Sequence, residues 1–244
     1  MTVSGGLQRQ RTLPGSFPRP VTPRREPSYS PWEAVFADHL DRMPSQFVDQ
    51  FLRSPDEQFV PLIIGTMSRV WHRPRWLRPA FEWLAEHGIL VSGEGSDVPM
   101  TLTMLPRCSS SGRPYNICLR LFEFGRPARW NTIKTWDPTL RRLVEYVGRR
   151  RRLMVVLDTS YDGAGVLTFE TERIAVRFAR RLIWLPPWLW RATMGTMRFV
   201  QSARPDGRTI DISLTLTQSL LGAVFGYEGS FEIVRSDELG LALT

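Results

Sequence analysis

From Val98 onward apolar and polar residues alternate, most clearly where Ile210, Ile212, Leu214 and Leu216 fall on one face and Asp211, Ser213, Thr215 and Thr217 on the other. A period of two marks a strand with one buried face. The pattern predicts strands near 99–107, 114–122, 129–136, 152–159, 165–173, 195–203, 208–217 and 222–234. Ser109–Gly112, Tyr161-Asp162-Gly163 and Pro205-Asp206-Gly207 carry the Ser, Asp and Gly chemistry of hairpin turns. Before Val98 the period is helical. Ser30-Pro31-Trp32-Glu33 combines an N-cap hydroxyl, a proline at the first helical position and a capping-box glutamate. Trp32, Val35, Phe36, Leu40 and Met43 follow at helical spacing as far as Pro44. Further helices are expected over Ser45–Leu52 and Val60–Val70, and a short one holding Phe81, Leu84 and Ala85 that ends at Gly88. Two more are expected between strands, over Pro138–Val147 and Val176–Trp190.

The fold class this predicts is α+β, with N-terminal helices packed on a curled antiparallel sheet or barrel of about eight strands. Residues 1–31, with six prolines and few apolar anchors, read as a flexible Pro/Arg-rich tail. Residues 32–244 read as one domain, helical over 32–92 and β-rich over 98–235. A chain of 244 residues can bury about three quarters of its unfolded surface, enough for a core without metals or disulfides. The longest apolar run, Leu182 to Trp190, is broken by Pro186-Pro187 and is too short to span a bilayer. The N-terminus has no apolar leader segment, so a cytoplasmic location is expected.

The net charge of +8 comes partly from five arginines against one glutamate in the first 31 residues. Lys134 is the only lysine. So general a loss of lysine reads more as codon bias than as a site, and no nucleic-acid partner is expected.

Several ordered features run through the chain: Val98-Pro99, Leu143-x-Glu145-x-x-Gly148, Leu185-Pro186-Pro187-x-Leu189, Asp206-Gly207-Arg208, Leu220-Leu221-Gly222 and Tyr227-x-Gly229. In this order they resemble the bacterial family catalogued as domain of unknown function 4166, over roughly residues 32–235. Members of that family occur alone or attached to saccharopine-dehydrogenase-like and membrane-embedded proteins. The resemblance implies a shared fold and no established activity. Where the family has a Trp-x-Arg-x-Phe strand and then paired glycines, this chain reads Cys118-x-Arg120-x-Phe122 and Glu123-Phe124-Gly125. Met197-Arg198-Phe199 stands where an acidic residue is usual.

Candidate chemistry is sparse. His39, His72 and His87 lack metal-ligand spacing, and Cys108 and Cys118, which could face each other across a hairpin, read as reduced thiols. No nucleophile elbow, phosphate loop or dinucleotide fingerprint occurs, so no cofactor and no metal are expected. Arg120 lies mid-strand on the face opposite Leu119 and Leu121, and an inward guanidinium requires a partner such as Glu145. The strand carboxylates Asp158, Glu170, Glu172 and Asp211 would be useful if they faced a lumen, although a solvated face is their commoner role. Arg149-Arg150-Arg151-Arg152 suits an anionic headgroup or a plain helix end. Eight tryptophans beyond Trp32 suit an apolar cavity, although core packing is their commoner use.

The expected function is binding of a small apolar or amphiphilic ligand between sheet and helices, with isomerase or cyclase chemistry left open. The expected ligand residues are Arg120, Trp130, Glu145, Glu170, Asp211 and Tyr227. The alternative is a peripheral membrane or interaction module using residues 177–190, with Arg177, Arg180 and Arg181 as its basic flank. Exposed Trp184, Trp188 and Trp190 would favour the membrane, and buried ones the cavity.

Overall fold

The computed structural model describes residues 30–36, 39–52, 62–179 and 181–234. Among the described residues eleven strands run in chain order: β1 Leu62–His72, β2 Gly95–Cys108, β3 Pro114–Glu123, β4 Pro127–Asp137, β5 Arg142–Val147 and β6 Leu153–Tyr161, followed by β7 Val166–Phe178, β8 Arg181–Trp184, β9 Thr196–Ala203, β10 Thr209–Gln218 and β11 Gly222–Val234. All pair antiparallel, in the order β6-β5-β4-β3-β2-β1-β11-β10-β9-β7-β8. A further β6–β7 ladder joins the two sides, so ten strands close into a barrel and β8 extends from β7 outside it. Closure removes the exposed edges that an open sheet of this size would present.

Both ends of the barrel are plugged. At one end lie α1 Glu33–Phe36 and α2 Ser45–Phe51, which bury Trp32, Phe36, Phe47 and Phe51 almost completely. Trp32 meets Phe169 at 5.6 Å between ring centroids, and the Gln46 side chain donates to the Arg204 carbonyl at 2.8 Å. The cap at Ser30 forms: its hydroxyl accepts from the Trp32 amide and donates to the Phe51 carbonyl. Ser30 and Pro31 are themselves buried, so packing starts earlier than the expected tail boundary. Residues 1–29 lie outside the described residues. At the other end, here the mouth, lie α3 Arg78–Glu86 and α4 Pro187–Thr193.

Three expected helices are replaced, each for a physical reason. Val60–Val70 looked helical because Ile63, Met67 and Val70 recur at steps of four and three. From Leu62 this segment is β1: Gly65 takes the inward place between Ile63 and Met67, and a bulge between Thr66 and Arg69 inserts the extra residue before Val70. A side chain at Gly65 would collide with the Ser230 carbonyl oxygen, which is why an apolar residue is missing from the alternation there. Pro138–Val147 is a turn, closed by Asp137 accepting from the Thr139 and Leu140 amides, followed by β5. β5 is buried on both faces: Leu143 and Val147 join the main core, while Val144 packs outside with Met154, Val156 and Ala175. Two-sided burial erases alternation and imitates a helix. Val176–Trp190 divides into the end of β7, the strand β8 and the start of α4, where Pro187 occupies the first helical turn. The expected strand count of about eight therefore becomes eleven.

Candidate functional site

Alternation places a polar group inside the barrel. On β3, Asn116, Cys118, Arg120 and Phe122 are buried, whereas Ile117, Leu119 and Leu121 face outward and are half-buried. On β4, Trp130, Thr132 and Lys134 point inward, and on β5 so does Glu145. Register then decides who meets whom. Arg120 stands opposite Trp130, Cys118 opposite Thr132, and Lys134 opposite Glu145.

The resulting contacts are specific. Lys134 Nζ lies 3.1 Å from Glu145 Oε1, while Arg120 Nη2 is 3.9 Å from the same oxygen. Arg120 Nη1 donates to Thr132 Oγ1 at 3.1 Å, and its guanidinium lies 4.8 Å over the Trp130 ring. Burial alone would push the Glu145 carboxyl up, but Lys134, Arg120 and the Thr132 hydroxyl together hold it below the usual carboxylate range. Burial pushes the Cys118 thiol up despite the neighbouring cations, and pushes the Tyr227 hydroxyl up to about 12. Both are therefore neutral at pH 7 and offset no positive charge. Among the described residues, this part of the interior sets two basic side chains, Arg120 and Lys134, against one carboxylate, Glu145.

Two cavities flank this cluster. A small one of about 20 Å³ touches Arg120, Lys134, Gln201 and Tyr227. A larger one of about 210 Å³ opens towards the mouth, with Trp130 and Glu145 in its wall. The rest of that wall is mostly apolar, including Leu77, Phe81 and Leu84 on or beside α3, Met194 after α4, and Leu214 and Phe225 on the barrel. Several buried polar atoms have no hydrogen-bond partner among the described residues: Trp130 Nε1 and Gln218 Oε1 in the larger cavity's wall, and Gln201 Oε1 in that of the smaller. An indole N–H is purely a donor, so Trp130 lacks an acceptor.

Of the six expected ligand residues, the fold brings Arg120, Trp130 and Glu145 together and sets Tyr227 beside the same small cavity. It does not bring Glu170 or Asp211 there. Glu170 pairs with Arg198 at 3.2 Å, and Asp211 holds Arg204 through two bonds of 2.6 and 2.8 Å. Both stand on the outer face of their strands: the buried Phe169 and Thr171 flank Glu170, and Ile210 and Ile212 flank Asp211. Asp158 and Glu172 likewise meet Arg142 outside. Glu145 sits on a strand instead of the expected helix, and its nearest cation is Lys134, a residue not among those six. The signal was present in a lysine count of one.

The remaining candidates have local roles. His72 lies between Glu94 and the Ser92 carbonyl, each at 2.7 Å, and His87 meets the Trp83 carbonyl. Cys108 and Cys118 are free thiols; they pair in register with Pro114 and Met104, so they do not face each other. Among the described residues no three His, Cys, Asp or Glu side chains gather where they could hold a metal ion. Trp184 and Trp188 are exposed while Trp190 is buried, so the tryptophan test divides between its two readings. Arg180 lies outside the described residues. Among the described residues no helix is long and apolar enough to cross a membrane.

Tyr227 supplies a measurable signature. Its hydroxyl ionises near 10 in an unfolded chain but near 12 in the barrel. Because the folded-state value is the higher one, the folded protein should lose about 2–3 kcal/mol of stability as pH rises from 10 to 12, with none of this loss below pH 9. Absorbance titration near 295 nm should show one of the five tyrosines ionising last. The Tyr227→Phe variant should lack that step.

The family model described as Domain of unknown function (DUF4166) matches residues 49–231. The chain is also similar to the uncharacterized protein YndH of Bacillus subtilis strain 168, with 25% identity over 172 residues that cover 69% of this chain and 80% of that one. A solved structure of the dehydratase domain of PpsC from Mycobacterium tuberculosis aligns over 82% of this chain and 84% of that one. Its identity is 12% and its TM-score 0.18, too low to carry an argument.

Proposed function

The chain belongs to the DUF4166 family, and we propose that its barrel binds a small amphiphile, with the apolar body in the mouth cavity and an anionic head at Arg120 and Lys134. The observation that carries this reading is that, among the described residues, two buried basic side chains share one carboxylate. A buried charge without a counterion is costly, and an anionic ligand would remove that cost. Arg120 is the cation left over, because Glu145 is closer to Lys134, and its planar fork suits a carboxylate or phosphate. The partnerless Trp130 N–H supports the same head group, since it can donate to an anion's oxygen.

Binding is better supported than catalysis. A general base works best with a pKa near the working pH, whereas Glu145 is held in the opposite direction, firmly ionised. The cavity of about 210 Å³ is small for a binding site and suits a short chain. Isothermal titration of the full chain with octanoate and with 1-octanol tests the reading. Octanoate should bind at least tenfold more tightly than the alcohol. Equal affinities would contradict the anionic head, and no heat with either would contradict the cavity as a ligand site.

A further inference from the structure

Independently of what the barrel holds, we propose that its mouth docks on an anionic lipid surface. Among the described residues, nine of the ten exposed large apolar side chains belong to this end, with Ile64 the exception. Trp76 and Trp83 lie on and just before α3. Phe178, Leu182, Ile183 and Trp184 form the β7–β8 hairpin, Trp188 stands 71% exposed on α4, and Leu220 and Leu221 tip the β10–β11 turn.

These elements are stitched into one face by backbone hydrogen bonds. The Arg149 amide donates to the His87 carbonyl after α3, Arg177 to Arg152, and Ser219 to Arg191, at 2.7, 2.7 and 3.3 Å. Those bonds also bring the arginines in. Arg149, Arg150, Arg151 and Arg152 are exposed beside the hairpin, and Arg181 and Arg191 are exposed on β8 and α4. Of the acidic groups at this end, Glu82 and Glu94 are held by Arg78 and His72, and the exposed Glu86 on α3 and Glu123 at the end of β3 are outnumbered by the exposed arginines. Aromatic and aliphatic side chains within a border of arginine match the bilayer interface, where apolar groups enter among the acyl chains and cations meet anionic headgroups.

Nothing described in the chain itself covers this face. Of the breaks between the described residues, those at Ser30, Phe36, His39, Leu52, Leu62 and Val234 lie at the opposite end of the barrel, where Leu62 pairs with Val234 and Ser30 bonds Phe51, and the single-residue break between Ala179 and Arg181 lies in the β7–β8 hairpin. The face also surrounds the larger cavity, to which α3 and the residues after α4 contribute. A bilayer contact here would place the cavity opening against the acyl chains.

Co-sedimentation with vesicles tests this. The full chain should pellet with vesicles of 70% phosphatidylcholine and 30% phosphatidylglycerol, should not pellet with phosphatidylcholine alone, and should be released by high salt. A Trp184→Ser/Trp188→Ser variant, checked for an unchanged far-ultraviolet spectrum and melting temperature, should lower the bound fraction at least fivefold. Both tryptophans are exposed, so the fold should tolerate the change. Equal pelleting with both vesicle types, no pelleting with either, or binding indifferent to the two tryptophans would overturn the proposal. A stable dimer in analytical ultracentrifugation that the same variant converts to monomer would also overturn it, making the face an interface between copies of this chain.

Discussion

Glutamine in place of Glu145 is expected to destabilise the fold by about 3–5 kcal/mol, the usual cost of removing one partner from a buried ion pair. In a protein of this size that is a fall in melting temperature of roughly 6–20 °C. Glu145 is the only carboxylate described near Lys134 and Arg120, and it is 4% exposed. Its loss leaves two cations in a barrel whose other titratable neighbours, Cys118 and Tyr227, are held neutral by burial. Urea unfolding of the two proteins measures the difference. A change below about 1 kcal/mol would mean that water or another group already compensates the interior charge.

Methionine in place of Arg120 is expected to behave in the opposite way. This change leaves the Lys134–Glu145 pair intact at 3.1 Å and removes the more distant of the two cations, 3.9 Å from the same carboxylate. The contact with the Trp130 ring and the bond to Thr132 are lost, but so is one of two buried cations that share a single described carboxylate. The net cost should be within about 1 kcal/mol. Octanoate affinity should nevertheless fall at least tenfold while 1-octanol affinity is unchanged. Calorimetry with both ligands separates the outcomes. A cost of 3–5 kcal/mol with octanoate binding preserved would make Arg120 a structural partner of Glu145 and nothing more.

The contrast between these variants also marks how far the sequence could be read. Alternation along β3 sets Arg120 on the face opposite Leu119 and Leu121, but that this face is the inner one depends on the closed barrel, where Arg120 is buried. Glu145 was legible as a partner but was placed on a helix, because β5 is apolar on both faces and its spacing is that of a helical stripe. Lys134 was visible as the only lysine, yet its meaning depends on the register that sets β4 against β5, a long-range property that no local pattern encodes. Glu170 and Asp211 were overestimated for the complementary reason. A carboxylate on an alternating strand can face either side, and the apolar residues that flank these two already claimed the interior. The barrel itself was within reach of the alternation, and its full strand count was not, because Gly65 and the bulge before Arg69 conceal β1.

The central claim is that an anionic head sits beside Arg120 inside the barrel. The most direct measurement is the carbon-13 spectrum of carboxyl-labelled octanoate bound to the protein, followed as pH is lowered from 7 to about 4, near the ordinary carboxylate range. Seated against the surplus cation, the bound carboxylate should stay ionised further into acid than free octanoate does, and its resonance should hold the ionised shift after the free ligand has begun to titrate. A bound carboxyl that takes up its proton at the same pH as the free acid, or at a higher one, would place the head in apolar surroundings or in solvent and would contradict the account.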